Sequence, residues 1–381
     1  MGKTKKYIII SGLNLNDNNR GTAALGYGSI SFLKEKGYLS EGQELINFRQ
    51  YKNFFKKWNL KELGSEINVA GDVWKHTEIT VFFLEYLLLI KFGILIPFTR
   101  FGNAIKNTSL VAAINGGDGF SDIYNTKLFF LRLKDSQIAM KRNIPVIFLP
   151  QTIGPFNDVT NRKIADRILK YASKVYVRDD RFINELRGIG VDYEETKDLS
   201  FYMQPEPWDI EIKGNPIGIN VSGLAYSNNY RSLKGQFDHY PELIDRLICT
   251  FRDKGHTVYL IPHSYNYQNP EPNNDDMVAC RQAYEHLTDK SNVYFVDKDL
   301  TSPQVKYLIS KMSFFIGTRM HANFAAIYTG VPVFGLAYSY KFKGAFDANG
   351  LDGEKQTVMI NNIAFNKINS IINKICLFYT I

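Results

Sequence analysis

Residues 314–330 read FFIGTRMHANFAAIYTG, and the local structure they imply decides the fold class. Three apolar residues, Phe314 to Ile316, run as a short strand into Gly317. Thr318 stands where an N-cap is wanted, and the residues after it carry a helical pattern as far as Gly330. A buried strand turning directly into a helix is half of a parallel crossover unit. The same alternation extends in both directions along the chain. Strand-like runs at 7–11, 110–115, 145–149 and 174–177 are separated by amphipathic stretches at 23–36, 128–142 and 160–172. Further runs at 216–221, 257–262, 292–296 and 331–336 alternate with helical patterns at 241–254, 275–287 and 302–312. This pattern predicts an α/β protein built on parallel sheets.

At 381 residues the chain is long enough for two domains of roughly 150 residues each. A Pro- and charge-rich stretch near 203–215 reads as the break between them. The expected division is an N-terminal Rossmann-like domain over 1–204 on the acceptor side, a linker over 205–215 and a C-terminal Rossmann-like domain over 216–350 on the donor side. The last segment, 351–381, is expected to contain a helix packing back on the first domain. Two Rossmann-like domains facing a cleft, GT-B-like, are the expected fold, with chemistry outside the carboxyl ends of the strands. A faint echo fits two such halves: Ser11-Gly12-Leu13 precedes Asn18-Asn19-Arg20, and Ser222-Gly223-Leu224 precedes Asn228-Asn229-Tyr230-Arg231. Chance in an Asn-rich chain explains it equally well.

Apolar residues at 45% and charged residues at 22% exclude a disordered tail or a fibre. The net charge of +8 favours anionic partners. Three cysteines without paired spacing fit a reducing compartment, so a cytoplasmic setting is expected. The start, MGKTKK followed by Tyr7 to Ile10, has too short an apolar run for a secretory signal and reads as the first strand. Residues 79–98, ITVFFLEYLLLIKFGILIPF, approach the length of a membrane span, but Glu85 and Lys91 oppose insertion. An apolar helix is expected there, either buried or docked on a membrane surface.

Within residues 314–330, Arg319 and His321 fall at a helix start, where the dipole opposes positive charge and favours an anion. A bound anion would offset that cost; a histidine packed at a domain edge is the alternative. Lys341 follows the next strand, on a loop flanked by Tyr338, Tyr340 and Phe342, and suits phosphate as a point charge. Solvation is its plain alternative. Asp118 ends the run AAINGGD, where it could orient a sugar hydroxyl or bond its own backbone. Gln151 belongs to the loop PQTIGP after a third strand, and Arg178 stands at the carboxyl edge of a fourth, suited to a carboxylate, with a surface pair to Asp179 or Asp180 as its alternative. His263 follows another strand end, where a hydrogen-bonded loop histidine is the simpler reading. The first loop, GLNLNDNNRG, lacks GxGxxG spacing, and neither HExxH, CxxC nor GxSxG occurs. No metal or resident cofactor is expected.

NGGD at Asn115–Asp118, PQTIGPF around Gln151, VRD at Val177–Asp179, GTRMHANFAA from Gly317 and AYSYKFKGAF from Ala337 together resemble the polysaccharide pyruvyl transferase family. The resemblance runs from near the start to about Leu351, with 43–109 poorly matched. It implies formation of a cyclic pyruvate ketal on a sugar from phosphoenolpyruvate, with release of phosphate. It further implies His321 as the general acid, and Arg178, Arg319 and Lys341 as phosphoenolpyruvate ligands. Asp118, Asn16, Gln151 and His263 are the candidates on the acceptor side. The family's acceptors imply a lipid-linked sugar, and with it a peripheral position at the inner face of a membrane. A GT-B-type glycosyltransferase using a nucleotide sugar is the rival; the lack of any Glu between Glu285 and Glu354 counts against its retaining members. Scattered basic residues argue against nucleic acid.

Overall fold

Three isoleucines, Ile8 to Ile10, all inaccessible to solvent, place Tyr7–Ser11 (β1) in the middle of a parallel sheet. In the computed structural model, which describes residues 6–51, 63–123 and 126–379, the chain divides into two units. The first comprises Met1–Asn14 and Leu25–Met203; the second comprises Leu15–Ala24 and Gln204–Ile381.

The sheet of the first unit has eight strands. After β1 come Glu44–Tyr51 (β2), Leu63–Val69 (β3), Asp72–Phe82 (β4), Thr108–Ala113 (β5), Val146–Gln151 (β6), Lys174–Val177 (β7) and Glu194–Glu195 (β8). Their order is β3-β4-β2-β1-β5-β6-β7-β8, and among the described residues only the β3–β4 pair is antiparallel. Every residue of β6, VIFLPQ, is buried, because helices cover both faces of a parallel sheet. Chain order reverses at β1, with β2 on one side and β5 on the other, so loops leaving these two strands part and open a crevice.

The second unit repeats the scheme with six parallel strands: Pro216–Asn220 (β9), Thr257–Leu260 (β10), Val293–Phe295 (β11), Phe314–Gly317 (β12), Val333–Ala337 (β13) and Thr357–Met359 (β14), ordered β11-β10-β9-β12-β13-β14. Its reversal lies at β9. Gly317 pairs with Asn220, so β9 and β12 end level, and with Gly335, beyond which β13 runs on to Ala337. Helix Tyr240–Asp253 presents Leu243, Ile244, Leu247, Ile248 and Phe251 to the sheet, the spacing of an amphipathic helix.

Several expectations are corrected. The terminal helix, Ile368–Tyr379, packs Ile368, Ile371, Ile372 and Ile375 into the core of the second unit, not the first. Residues 79–98 are not one helix: β4 continues through Phe82, where β-branched Ile79, Thr80 and Val81 favour a strand. A ten-residue helix, Phe83–Phe92, follows and stops at Gly93, whose left-handed conformation lets its N–H donate to Leu89 O and that of Ile94 to Leu88 O. One face of that helix joins the core of the first unit through Leu89, with Tyr86 and Ile90 against it, while Phe83, Leu84 and Phe92 are exposed, so it is neither wholly buried nor wholly free. Among the described residues, no helix is long and apolar enough to cross a membrane.

Candidate active site

In the second unit, the carboxyl ends of β10, β9, β12 and β13 lead in turn to His263, Asn220, Arg319 with His321, and Lys341. The helix after β12 is Met320–Tyr328, with Arg319 rather than Thr318 at its N-cap. Thr318 is instead fully buried, its hydroxyl 2.7 Å from that of Tyr240, which also accepts the Ser222 backbone N–H. Lys341 begins a helix, Lys341–Asp347, instead of lying in a loop.

Asp276, absent from the sequence-based candidates, organises this edge. It is completely buried. One carboxylate oxygen accepts the Gly223 N–H at 2.9 Å and Arg319 Nη2 at 2.7 Å; the other accepts the N–H groups of His263 and Ser264 at 3.1 and 2.9 Å. Asn220 Nδ2 donates to it as well, while Asn220 Oδ1 accepts the Arg319 N–H at 2.8 Å. One carboxylate therefore ties together the loops leaving β9, β10 and β12. Arg319 also donates to Asn274 through Nη2. Burial opposes the guanidinium charge, but Asp276 outweighs it and holds the Arg319 pKa above its ordinary value. Nη1 makes no hydrogen bond among the described residues, so this planar fork keeps one nitrogen for a ligand.

His321 is half-buried on the first turn of its helix, edge-on to Phe324 at 5.5 Å between ring centroids. The first loop reaches it through Gly21. A Cβ built there would lie 2.7 Å from the imidazole Cγ and Nδ1, so only glycine lets the ring sit this close to the helix beginning at Arg20. Arg20 holds that loop in the second unit. Its guanidinium donates to Leu300 O and Asp299 and lies 4.2 Å from the Tyr265 ring centre. His263 is also buried, and its backbone carbonyl accepts the Arg20 N–H. Burial first, then the positive neighbours His321, Arg319 and Arg20, push the His263 pKa well below that of a free imidazole. His263 is thus held in its neutral form. Asn16 is exposed on the same loop.

The other candidates lie in the first unit, after β5, β6 and β7. Gln151 is wholly buried, and its amide is spent on the protein. Nε2 donates to Ala113 O and Leu149 O, and Oε1 accepts from the backbone and side chain of Asn115. It braces the NGGD loop and is not placed to bind an acceptor. Arg178 donates to Asp198 at 2.6 Å and to Thr152 Oγ1 at 3.2 Å. Burial works against its charge, but Asp198 and Asp179 prevail and raise its pKa. Gly117 packs against this guanidinium, and the half-buried Asp118 is among the carboxylates that stabilise it. The structure therefore brings Asp118, Gln151 and Arg178 together in one unit, and Arg319, His321, His263 and Lys341 in the other. Among the described residues, no group of three or more His, Cys, Asp or Glu could hold a metal ion.

Sequence reasoning passed over Asp276, Asn220 and Gly21. Gly21 closes the quoted first loop; Asp276 lies in Asn274-Asp275-Asp276, which reads as an ordinary solvated helix start.

The model of the polysaccharide pyruvyl transferase family matches residues 19–340. The amylovoran biosynthesis protein AmsJ of Erwinia amylovora is 19% identical over 291 residues, covering 72% of this chain and 68% of AmsJ. Among solved structures, the UDP-GlcNAc 2-epimerase of Neisseria meningitidis, bound to UDP-GlcNAc, aligns with a TM-score of 0.54 at 13% identity, over 98% of this chain and 93% of that one. The epimerase of Methanocaldococcus jannaschii aligns at 0.55 and 11%, over 99% and 92%. At these identities the likeness concerns the fold, which is GT-B-like.

Proposed function

Because the chain belongs to the polysaccharide pyruvyl transferase family, we propose that it converts phosphoenolpyruvate and a saccharide diol into a cyclic pyruvate ketal and phosphate. The observation that carries this reading is the placing of His321 and Arg319 together at the carboxyl end of β12, with Asp276 fixing the arginine and Gly21 fitting the ring. Phosphoenolpyruvate has a carboxylate and a phosphate flanking an electron-rich methylene, so it calls for directed cationic donors beside one proton donor.

In this mechanism the His321 imidazolium gives its proton to the methylene carbon, C3, and C2 becomes oxocarbenium-like. A sugar hydroxyl adds to C2, its proton returning to the imidazole. The C2–O bond to phosphate then breaks, phosphate leaves, and the second hydroxyl closes the ketal, its proton departing with phosphate. Arg319, through Nη1, and Lys341 hold the anionic groups while charge redistributes. Arg178, in the first unit, is a further anion ligand in this reading, although Asp198 and Asp179 already balance much of its charge. Asp118, Asn16 and His263 stay candidates for the acceptor. His263, held neutral beside His321, can accept or donate one hydrogen bond without competing for the catalytic proton.

The acceptor in this proposal is a lipid-linked glycan, and the protein works peripherally at a membrane. Support comes from the exposed Phe83, Leu84, Phe92 and Phe98, together with exposed Lys91, Arg100 and Lys106 around them. The experiment is phosphate release from phosphoenolpyruvate by wild-type protein and by His321→Ala, with folding followed by circular dichroism. Loss of release in a folded variant is expected; undiminished turnover removes His321 from the chemistry.

A further inference from the structure

The first unit contains an opening of its own, about 910 Å³ in volume, at the carboxyl ends of β1 and β5 where the strand order reverses. Its wall carries hydroxyl, amide and carboxyl groups: Ser11, Asn14, Asn47, Asn115 and Asp135. Ser11 Oγ donates to Asp135 Oδ2 at 2.6 Å, and Asn47 Nδ2 to Leu13 O at 2.9 Å. Arg49 and Glu78 pair across 3.1 Å in the same lining. Short amides and a carboxyl paired with a hydroxyl match a polyol, and Arg49, Arg132 and Lys134 line the same opening beside Glu78 and Asp135. Burial lifts Asp135 to about 6 despite the opposing Ser11 hydrogen bond and Lys134.

Other lining residues are of a different kind. Phe83 and Leu131 line the same opening yet are 51% and 42% exposed, so they stand at its rim. From Phe83 the helix Phe83–Phe92 runs on for about 13 Å at 1.5 Å per residue. Leu84 and Phe92, two periods of four apart, share a face and are 65% and 70% exposed. A polyol-lined pocket continuous at its rim with an uncovered hydrocarbon ridge is the complement of an amphiphile. Neither a free sugar nor a plain bilayer would use both parts.

We propose that this pocket seats the saccharide head of a glycolipid acceptor, with its hydrocarbon laid along the helix Phe83–Phe92. The proposal rests on the lipid-linked acceptor of the preceding section and gives its saccharide head a site lined by none of Asp118, Asn16 and His263, in whose place it sets Ser11, Asn14, Asn47, Asn115 and Asp135. The test needs no phosphoenolpyruvate. The full chain is titrated with n-octyl β-galactoside below its micelle concentration, with methyl β-galactoside and with octylphosphocholine, by isothermal calorimetry. Octyl galactoside should bind about ten-fold tighter than either of the others, a gain equal to fewer than two buried methylene groups. Leu84→Ser with Phe92→Ser, both exposed and harmless to folding, should reduce it to the methyl glycoside's affinity. Asn47→Ser and Asp135→Asn should weaken both galactosides and leave octylphosphocholine unchanged. Equal binding of any octyl compound whatever its head, or indifference to Asn47→Ser and Asp135→Asn, would overturn the site. Phosphate release read on the same variants separates the two claims: retained transfer without glycoside binding sinks the site alone, and glycoside binding without transfer sinks the reaction alone.

Discussion

Replacing Asp276 by asparagine keeps the shape of the buried side chain and removes its charge and one acceptor oxygen. Whichever way the new amide turns, its NH2 faces N–H groups. In one orientation these belong to Gly223 and Arg319, in the other to His263, Ser264 and Asn220. At least two buried donors lose their partner, at about 1–3 kcal/mol each. The Arg319 guanidinium, 11% exposed, is left without its counter-charge. Breaking a buried pair from one side costs about 3–5 kcal/mol, and these contributions overlap, so about 3–5 kcal/mol is the expected total. No cavity is made, so none of the loss is packing. Urea unfolding followed by circular dichroism gives the value, and hydrogen exchange in helix Asp276–His286 shows whether the loss is local to the second unit. Removing the orphaned charge as well, in Asp276→Asn with Arg319→Gln, should recover part of the stability. A single-variant loss below about 1 kcal/mol, or a double variant no better than the single, would refute the idea that this carboxylate is the electrostatic anchor of the strand ends.

Gly21→Ala should lower phosphate release and also the melting temperature, because the added methyl meets the His321 ring and, at 2.8 Å, its Cβ, which ring rotation does not move; unaltered release would show that the ring's place does not matter. Gly28→Ala is the contrasting case. Its Cβ would stand 1.8 Å from the Leu199 carbonyl oxygen, backbone that cannot step aside, and a loss of about 2 kcal/mol or more is expected in thermal unfolding. His263 sets a pH dependence. Its folded pKa is depressed, so well above the unfolded value of about 6.5 both states are neutral and the full stability is present. Below that the unfolded chain takes up the proton first, and stability falls by about 1.4 kcal/mol per pH unit until the folded pKa is reached. His263→Asn should flatten the urea midpoint between pH 6.5 and 5 relative to wild type; parallel curves would contradict the burial of a neutral ring. Arg178→Ala should weaken phosphoenolpyruvate binding measured by calorimetry, and unchanged affinity would leave Arg178 a purely structural partner of Asp198.

The parallel α/β architecture was legible because each buried strand announces itself as an apolar run ending in a polar turn, as at Phe314–Gly317 and Val146–Gln151. The strand ends carrying Arg319, His321 and Lys341 follow from the same pattern. Residues 43–109 were not legible in this way. There β4 runs without a break into an apolar helix, and periodicity cannot separate a strand from a helix inside one continuous apolar run. The terminal helix is amphipathic in sequence, but amphipathicity states that a face is buried and not against what. Asp276 was hidden for a deeper reason. A buried carboxylate is recognised by its donors, and here these come from the ends of β9, β10 and β12, some 40 to 60 positions away for Gly223, Asn220 and Arg319. Ser11-Gly12-Leu13 begins on the last residue of β1 and Ser222-Gly223-Leu224 two residues past β9, the strands at which the two sheets reverse order.

The most direct test of the proposed reaction is mass spectrometry of galactosides and N-acetylhexosaminides after incubation with the protein, phosphoenolpyruvate and UDP-sugars together. Ketal formation predicts a gain of ~70 Da on the acceptor, matched by one phosphate released and abolished by His321→Ala. A gain of ~162 Da or ~203 Da, drawn from a UDP-sugar with phosphoenolpyruvate left intact, would contradict it and make the protein a glycosyltransferase.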